Sequence, residues 1–377
     1  MTQDIRKYRF IDALRGYSIL AVLFVHSAQS VQPASPALQS LMSHGVRGVQ
    51  LFFIASALTL SLSWDSRRTR EASPTRNFYL RRFFRIAPMF YIAILFYVVL
   101  YGLAPRYWAP NGIDWWFVPL TALFLNGYLP ETITSVVPGG WSIAVEMNFY
   151  LVLPLILRYF TTWKSLVAFL VFSLALCATM RLAFTYLFAP HFPPDQQYLV
   201  SSFTVLNFFG QLPVFAAGLL VASLFKSPTM LRRFVGYGGF ILIVIIVLDL
   251  TLRLPLNIID NYIFIGFGLA VFSGFMACYP SRILVNGAIV QIGKISFSMY
   301  LAHFAVLEAF SKFGFAAIFR PGNASSILYY LCAVAVTAPL SYCFFNAVEK
   351  TGIELGKRLI DYLERKVPAV VHQASSP

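Results

Sequence analysis

The 377-residue chain is 58% hydrophobic, 17% aromatic and only 12% charged. A soluble domain of this length does not carry so few charges, and apolar runs recur to the end, so the composition excludes a soluble enzyme and points to an all-α polytopic membrane protein. The net charge of +14 does not imply nucleic acid as a partner, because the Lys and Arg gather between apolar runs, as they do in cytoplasmic loops.

Hydropathy divides the chain into ten spans, roughly 10–30, 46–64, 84–104, 141–160, 165–189, 203–225, 236–253, 260–279, 289–313 and 325–347. The first apolar run has no small-residue cleavage site after it and is therefore read as a retained helix. Basic residues mark alternate loops. Arg6, Lys7 and Arg9 precede the first span, and Arg67, Arg68, Arg70, Arg76, Arg81, Arg82 and Arg85 lie between the second and third. Arg158 with Lys164, Lys226 with Arg232 and Arg233, Arg282, and Lys350 with Lys357 and Arg358 continue the series, whereas the opposite loops carry scattered bases such as Arg106, Arg253 and Arg320. Both termini are therefore expected in the cytoplasm.

Residues 105–140 interrupt the rhythm. Their apolar part, Ile113 to Tyr128, is short, begins Asp114-Trp115-Trp116 and contains Pro119 and Gly127. An eleventh span there would invert every later loop, so the segment is expected to be re-entrant or interfacial on the outer side, with its tryptophans among the headgroups. Residues 1–350 read as one transmembrane domain, with no internal repeat and no soluble domain. Residues 351–377 read as a cytoplasmic tail, a short helix followed by a disordered Ala-Ser-Ser-Pro end. Cys177, Cys278, Cys332 and Cys343 lie inside apolar runs without metal-ligand spacing, so neither a disulfide framework nor a metal is expected.

Ionisable residues inside the spans are the candidate functional groups, since lipid tolerates them poorly. The first span holds Asp12, Arg15 and His26. On a helix Arg15 and His26 share one face about 16 Å apart, with Asp12 one turn before Arg15. Arg82 and Arg85, three apart at the mouth of the third span, suit a phosphate-bearing ligand or simply follow the positive-inside bias. Ser142 and Glu146 open the fourth span one turn apart, and Glu146 serves either function or a helix-to-helix ion pair. Ser296, Tyr300 and His303 overlap on the ninth span, where they act in a site or as hydrogen-bonding glue between helices.

In order along the chain, Asp12-Ala-Leu-Arg15-Gly16 with His26, Gly48-Val49-Gln50-Leu51-Phe52-Phe53, Arg82-Phe-Phe-Arg85, Trp141-Ser142-Ile-Ala-Val-Glu146 and Tyr300-Leu-Ala-His303 resemble the membrane-bound acyltransferase-3 family. The resemblance runs from residue 12 to about residue 350 and includes Glu349-Lys350. It implies an integral-membrane O-acyltransferase of the bacterial inner membrane, with acetyl-CoA as donor, no metal, and a carbohydrate or lipid-linked glycan as acceptor amid membrane lipids. Three positions depart from the family's pattern: Gln50 stands where Asp is usual, Ala57 where Gly follows Ser56, and Met147 where a second acid commonly follows Glu146. The soluble hydrolase-like domain of some members is not expected here.

With the N-terminus inside, Arg15, Arg82 and Arg85 fall at the cytoplasmic end and are expected to hold the donor phosphates. His26, Glu146 and His303 fall in the outer half. His26 is then the general base or a transient acyl carrier, Glu146 its orienting carboxylate, and Asp12, Ser142, Tyr300 and His303 support it. The competing reading is a transporter or flippase with a His/Glu proton relay, for which repeated halves are the expected signature and are not found. A purely structural scaffold leaves the intramembrane charges without a reason.

Overall fold

The computed structural model describes residues 8–252 and 262–365. Arg6, Lys7 and Arg253, counted above among the loop charges, and the Ala-Ser-Ser-Pro end lie outside the described residues.

Local sequence starts the helices where the capping chemistry requires. Pro36, Pro74 and Pro228 occupy first-turn positions, where the missing amide proton has no partner to lose, and open α2 (Pro36–Ser43), α4 (Pro74–Tyr101) and α10 (Pro228–Leu252). α1 (Arg9–Ser30) and α3 (Gly48–Arg67) flank α2. The six-residue α5 (Phe117–Ala122) follows α4, and α6 (Gly140–Tyr159) follows α5. A Thr162–Ser165 capping box begins α7 (Trp163–Phe188), and α8 (Gln197–Leu206) leads to α9 (Phe208–Leu224), whose first amides bond the Asn207 side chain. Asn286 likewise caps α12 (Gly287–Lys294), which follows α11 (Tyr262–Cys278). The chain then runs through α13 (Ser296–Lys312), α14 (Asn323–Phe344), a π-helical turn over Phe345–Glu349, and α15 (Lys350–Arg365).

Among the described residues eight helices are long and apolar enough to cross a membrane, and α12 with α13 forms a ninth span broken by a 77° bend. α11, at 17 residues, is a shorter apolar helix, and with it the count is ten. Every expected span has its helix. Residues 105–140 contribute only the six-residue α5 and short turns, too little to cross.

Two helices organise the bundle. α1 packs on α3, α12, α13 and α14, and α9 packs on α3 and α7. The rings of Phe53 and Phe149 both stack on Phe215 of α9, at 4.6 and 3.9 Å between centroids. At the crossing of α1 and α12 the backbones touch. A methyl group on Gly293 would overlap the Asp12 carbonyl, and one on Gly16 would overlap that of Ile289. α15 lies against α4, with Gly352 and Gly356 seated on Phe84. All four cysteines are free thiols.

Candidate active site

The 77° break at Ile295 turns the start of α13 toward the centre of the bundle, where Ser296, Phe297 and Tyr300 line a cavity of about 60 Å³. Three arginines from two helices reach the same cavity: Arg15 of α1, and Arg82 and Arg85 of α4. Glu146 of α6 faces them. Its Oε1 accepts hydrogen bonds from Ser56 at 2.6 Å and from Tyr150 at 2.5 Å. Tyr150 also presents its ring to the Arg82 guanidinium, 5.9 Å from the centroid.

Arg15 donates to Thr59 Oγ1 at 2.8 Å and more weakly to Asp12 Oδ1 at 3.4 Å. It also lines a second cavity, bounded by Asp12, Thr59, Ser63, Ser66 and Arg67, so it stands at the boundary between the two. Arg82 Nε is buried with no hydrogen-bond partner. Such an unsatisfied charged donor is costly unless an anion meets it, so the cavity fits a ligand bearing phosphate or carboxylate.

The two histidines lie together on the far side of Tyr300. The rings of His26 and His303 are 5.4 Å apart, and Phe304 packs on both, at 4.5 and 4.1 Å. His26 Nδ1–H donates to Gln29 Oε1 at 2.8 Å, and His303 Nδ1–H donates to the Tyr300 carbonyl at 2.6 Å. These oxygens only accept, so in each neutral ring Nε2 keeps its lone pair. His303 Nε2 is buried without a partner. Neither imidazole lines the arginine cavity.

Tyr300 joins the two groups. Its ring lies 5.6 Å from that of His303, while its hydroxyl donates to the Gly139 carbonyl at 3.0 Å and accepts from Ser142 at 2.8 Å. Gly139 adopts φ +73°, and a methyl group there would press on the Tyr300 hydroxyl at 2.8 Å. The Gly-Gly before Trp141 thus lets the 126–139 loop come down onto α13. That loop bonds to itself: Asn126 donates to the Ile133 carbonyl at 3.1 Å, and Thr132 to the Asn126 carbonyl at 2.9 Å.

The arrangement differs from the expectation in one respect. The sequence suggests Glu146 beside His26, with the arginines at a distant membrane mouth. Instead α4 begins at Pro74, which puts Arg82 and Arg85 eight and eleven residues into the helix, about 12 and 16 Å from its start. Glu146 is six residues into α6. The carboxylate and the guanidiniums therefore meet at similar depth, each a better neighbour for the other than lipid. Gln29, not Glu146, holds the His26 ring. Tyr300 and His303 come together as their helical spacing suggested, Ser142 reaches Tyr300 from α6, and Asp12 flanks Arg15.

Sequence reasoning missed Ser56, Thr59, Tyr150 and Gln29. Tyr150 is four residues from Glu146, and Gln29 three from His26, so both were legible as helical neighbours. Ser56 and Thr59 arrive from another helix, and only the packing shows them.

The acyltransferase domain family matches residues 8–346. Over 221 residues the chain is 25% identical to "Peptidoglycan O-acetyltransferase OatA" of Listeria monocytogenes, covering 52% of this chain and 32% of the relative. Over 154 residues it is 29% identical to "Acyltransferase MdmB" of Streptomyces mycarofaciens, covering 38% of each. A Staphylococcus aureus protein, SACOL0978, is 22% identical over 390 residues, or 93% of this chain and 59% of the relative. The chain thus spans less than two thirds of the length of each of these relatives. No solved structure matches.

Proposed function

The chain belongs to this acyltransferase family, and from that premise we propose that it is an inner-membrane O-acetyltransferase moving an acetyl group from cytoplasmic acetyl-CoA to a carbohydrate hydroxyl. In this reading both termini are cytoplasmic, and the acceptor is a glycan of the cell surface or its lipid-linked precursor. The observation that carries it is the pairing of two unlike compartments across Tyr300: a cavity with three guanidiniums on one side and two imidazoles with free Nε2 lone pairs on the other. The arginines suit the donor's phosphates, and the imidazoles suit proton transfer.

Arg15, Arg82 and Arg85 hold the donor's anionic end, and the thin pantetheine arm carries the thioester past Tyr300 toward His26. His26 Nε2 removes the proton from the acceptor hydroxyl as that oxygen attacks the thioester carbonyl. The C–S bond breaks when the tetrahedral adduct collapses, and the imidazolium returns its proton to the leaving CoA thiolate. Gln29 keeps Nδ1 protonated and the ring oriented throughout.

The test is acceptor acetylation from radiolabelled acetyl-CoA in membranes, normalised to folded protein. His26→Gln is expected to bind acetyl-CoA normally and to lose transfer by about 10²- to 10⁴-fold, the usual loss of a general base. Near-normal turnover of that variant would remove His26 from the mechanism.

A further inference from the structure

The proposed mechanism leaves a buried carboxylate unused. Glu349 is 1% exposed and closes the π-helical turn Phe345–Glu349 between α14 and α15. π-Helical turns are uncommon and concentrate at functional sites. Glu349 Oε2 accepts from Ser298 Oγ at 2.9 Å, while Oε1 is buried with no partner. A half-satisfied buried carboxylate is costly, and the fold holds this one in place. Gly352 rests on the Phe84 carbonyl and Gly356 on the Phe84 ring, which puts the start of α15 against the turn of α4 that bears Arg85. The cations that act on Glu349 most strongly are Arg85 and then Arg15. Arg85 lines the central cavity and has no side-chain hydrogen bond or ion pair among the described residues.

We propose that Glu349 is the positioning residue for Arg85: when the donor binds, the free carboxylate oxygen takes one edge of the guanidinium while the other edge takes a phosphate of the donor. A guanidinium offers five N–H donors in a planar fork and can bridge two anions in this way, which an ammonium cannot do with the same geometry. Ser298, two residues from the cavity-lining Ser296, fixes the other oxygen so that the carboxylate cannot turn away from α4.

The inference rests on the arginine cavity being the donor site, and the experiment separates the two. Equilibrium binding of radiolabelled acetyl-CoA is measured on the detergent-purified full chain for Arg85→Ala, Glu349→Gln and the double variant. Glu349→Gln retains an acceptor for Ser298 and replaces the charged free oxygen with an amide nitrogen that cannot accept from Arg85. Each single variant is expected to raise Kd about tenfold, the lower end for a charged hydrogen bond, and the double variant no further than either. Normal binding by Glu349→Gln beside weakened Arg85→Ala, or multiplicative losses in the double variant, overturns the positioning role and leaves the donor site standing. Unchanged binding by Arg85→Ala overturns both. If Glu349→Gln does not fold, Ser298→Ala decides: it is expected to raise Kd several-fold, and an unchanged Kd overturns the proposal.

Discussion

Glu146 shows how a carboxylate is kept inside a membrane protein without a direct ion pair. One oxygen takes two hydroxyl donors, Ser56 and Tyr150, and three guanidiniums share its cavity. Its charge offsets part of theirs, so its removal is felt by the arginines. Glu146→Gln is expected to lower transfer by at least tenfold, with the change in donor binding. Tyr150→Phe, which removes one neutral donor and keeps the ring beneath Arg82, is expected to cost about 0.5–1.5 kcal/mol, or a few-fold. Acetyl-CoA binding and turnover of the two variants check this, and a larger loss for Tyr150→Phe than for Glu146→Gln would contradict it. At this scale the sequence was partly legible. Residue type and helical spacing picked out Arg15, His26, Arg82, Arg85, Glu146, Ser142, Tyr300 and His303, because charge in an apolar run is conspicuous. Their partners were not, because depth depends on where each helix begins, and α4 begins ten residues before the apolar run expected at 84.

At the scale of elements, hydropathy fixes ten apolar stretches, while contacts between backbones decide how they pack. The α1–α12 crossing depends on the absence of two side chains, at Gly16 and Gly293. Gly293→Ala drives a methyl group into the Asp12 carbonyl, and helix backbones yield less readily than side chains. The expected destabilisation is at least the ~1–3 kcal/mol of ordinary overpacking. A second effect is specific to this site: the shift displaces the turn bearing Asp12 and Arg15 and lowers transfer beyond the loss of folded protein. A thermal melt with specific activity per folded molecule measures both, and an unshifted melt would show that the crossing relaxes. The break at Ile295 was hidden in the sequence, since 289–313 reads as one apolar span. No proline or glycine pair marks the bend, and it lies next to the close packing of α12 on α1.

On the scale of the whole molecule, the loop charges, the proposed direction of transfer and the broken ninth span form one consistent arrangement. The proposed orientation puts residues 105–140 outside. A reporter fused after Trp108 is expected to behave as external, and a cytoplasmic signal would reverse the direction of transfer. Tyr300 then has a role beyond chemistry. In the proposed orientation the arginine cavity faces inward and the imidazoles outward, and the Tyr300 ring, with its hydroxyl tied to Gly139 and Ser142, stands between them. If that orientation holds, the ring is expected to act as a seal against ion leak. In proteoliposomes, Tyr300→Ala is expected to dissipate an imposed pH gradient faster than the parent protein, and Tyr300→Phe, which keeps the ring and loses only the tether, is expected to fall between them. Equal rates for all three would locate the seal elsewhere. If the seal is at Tyr300, a cell carrying the alanine variant would lose energy as well as acetylation.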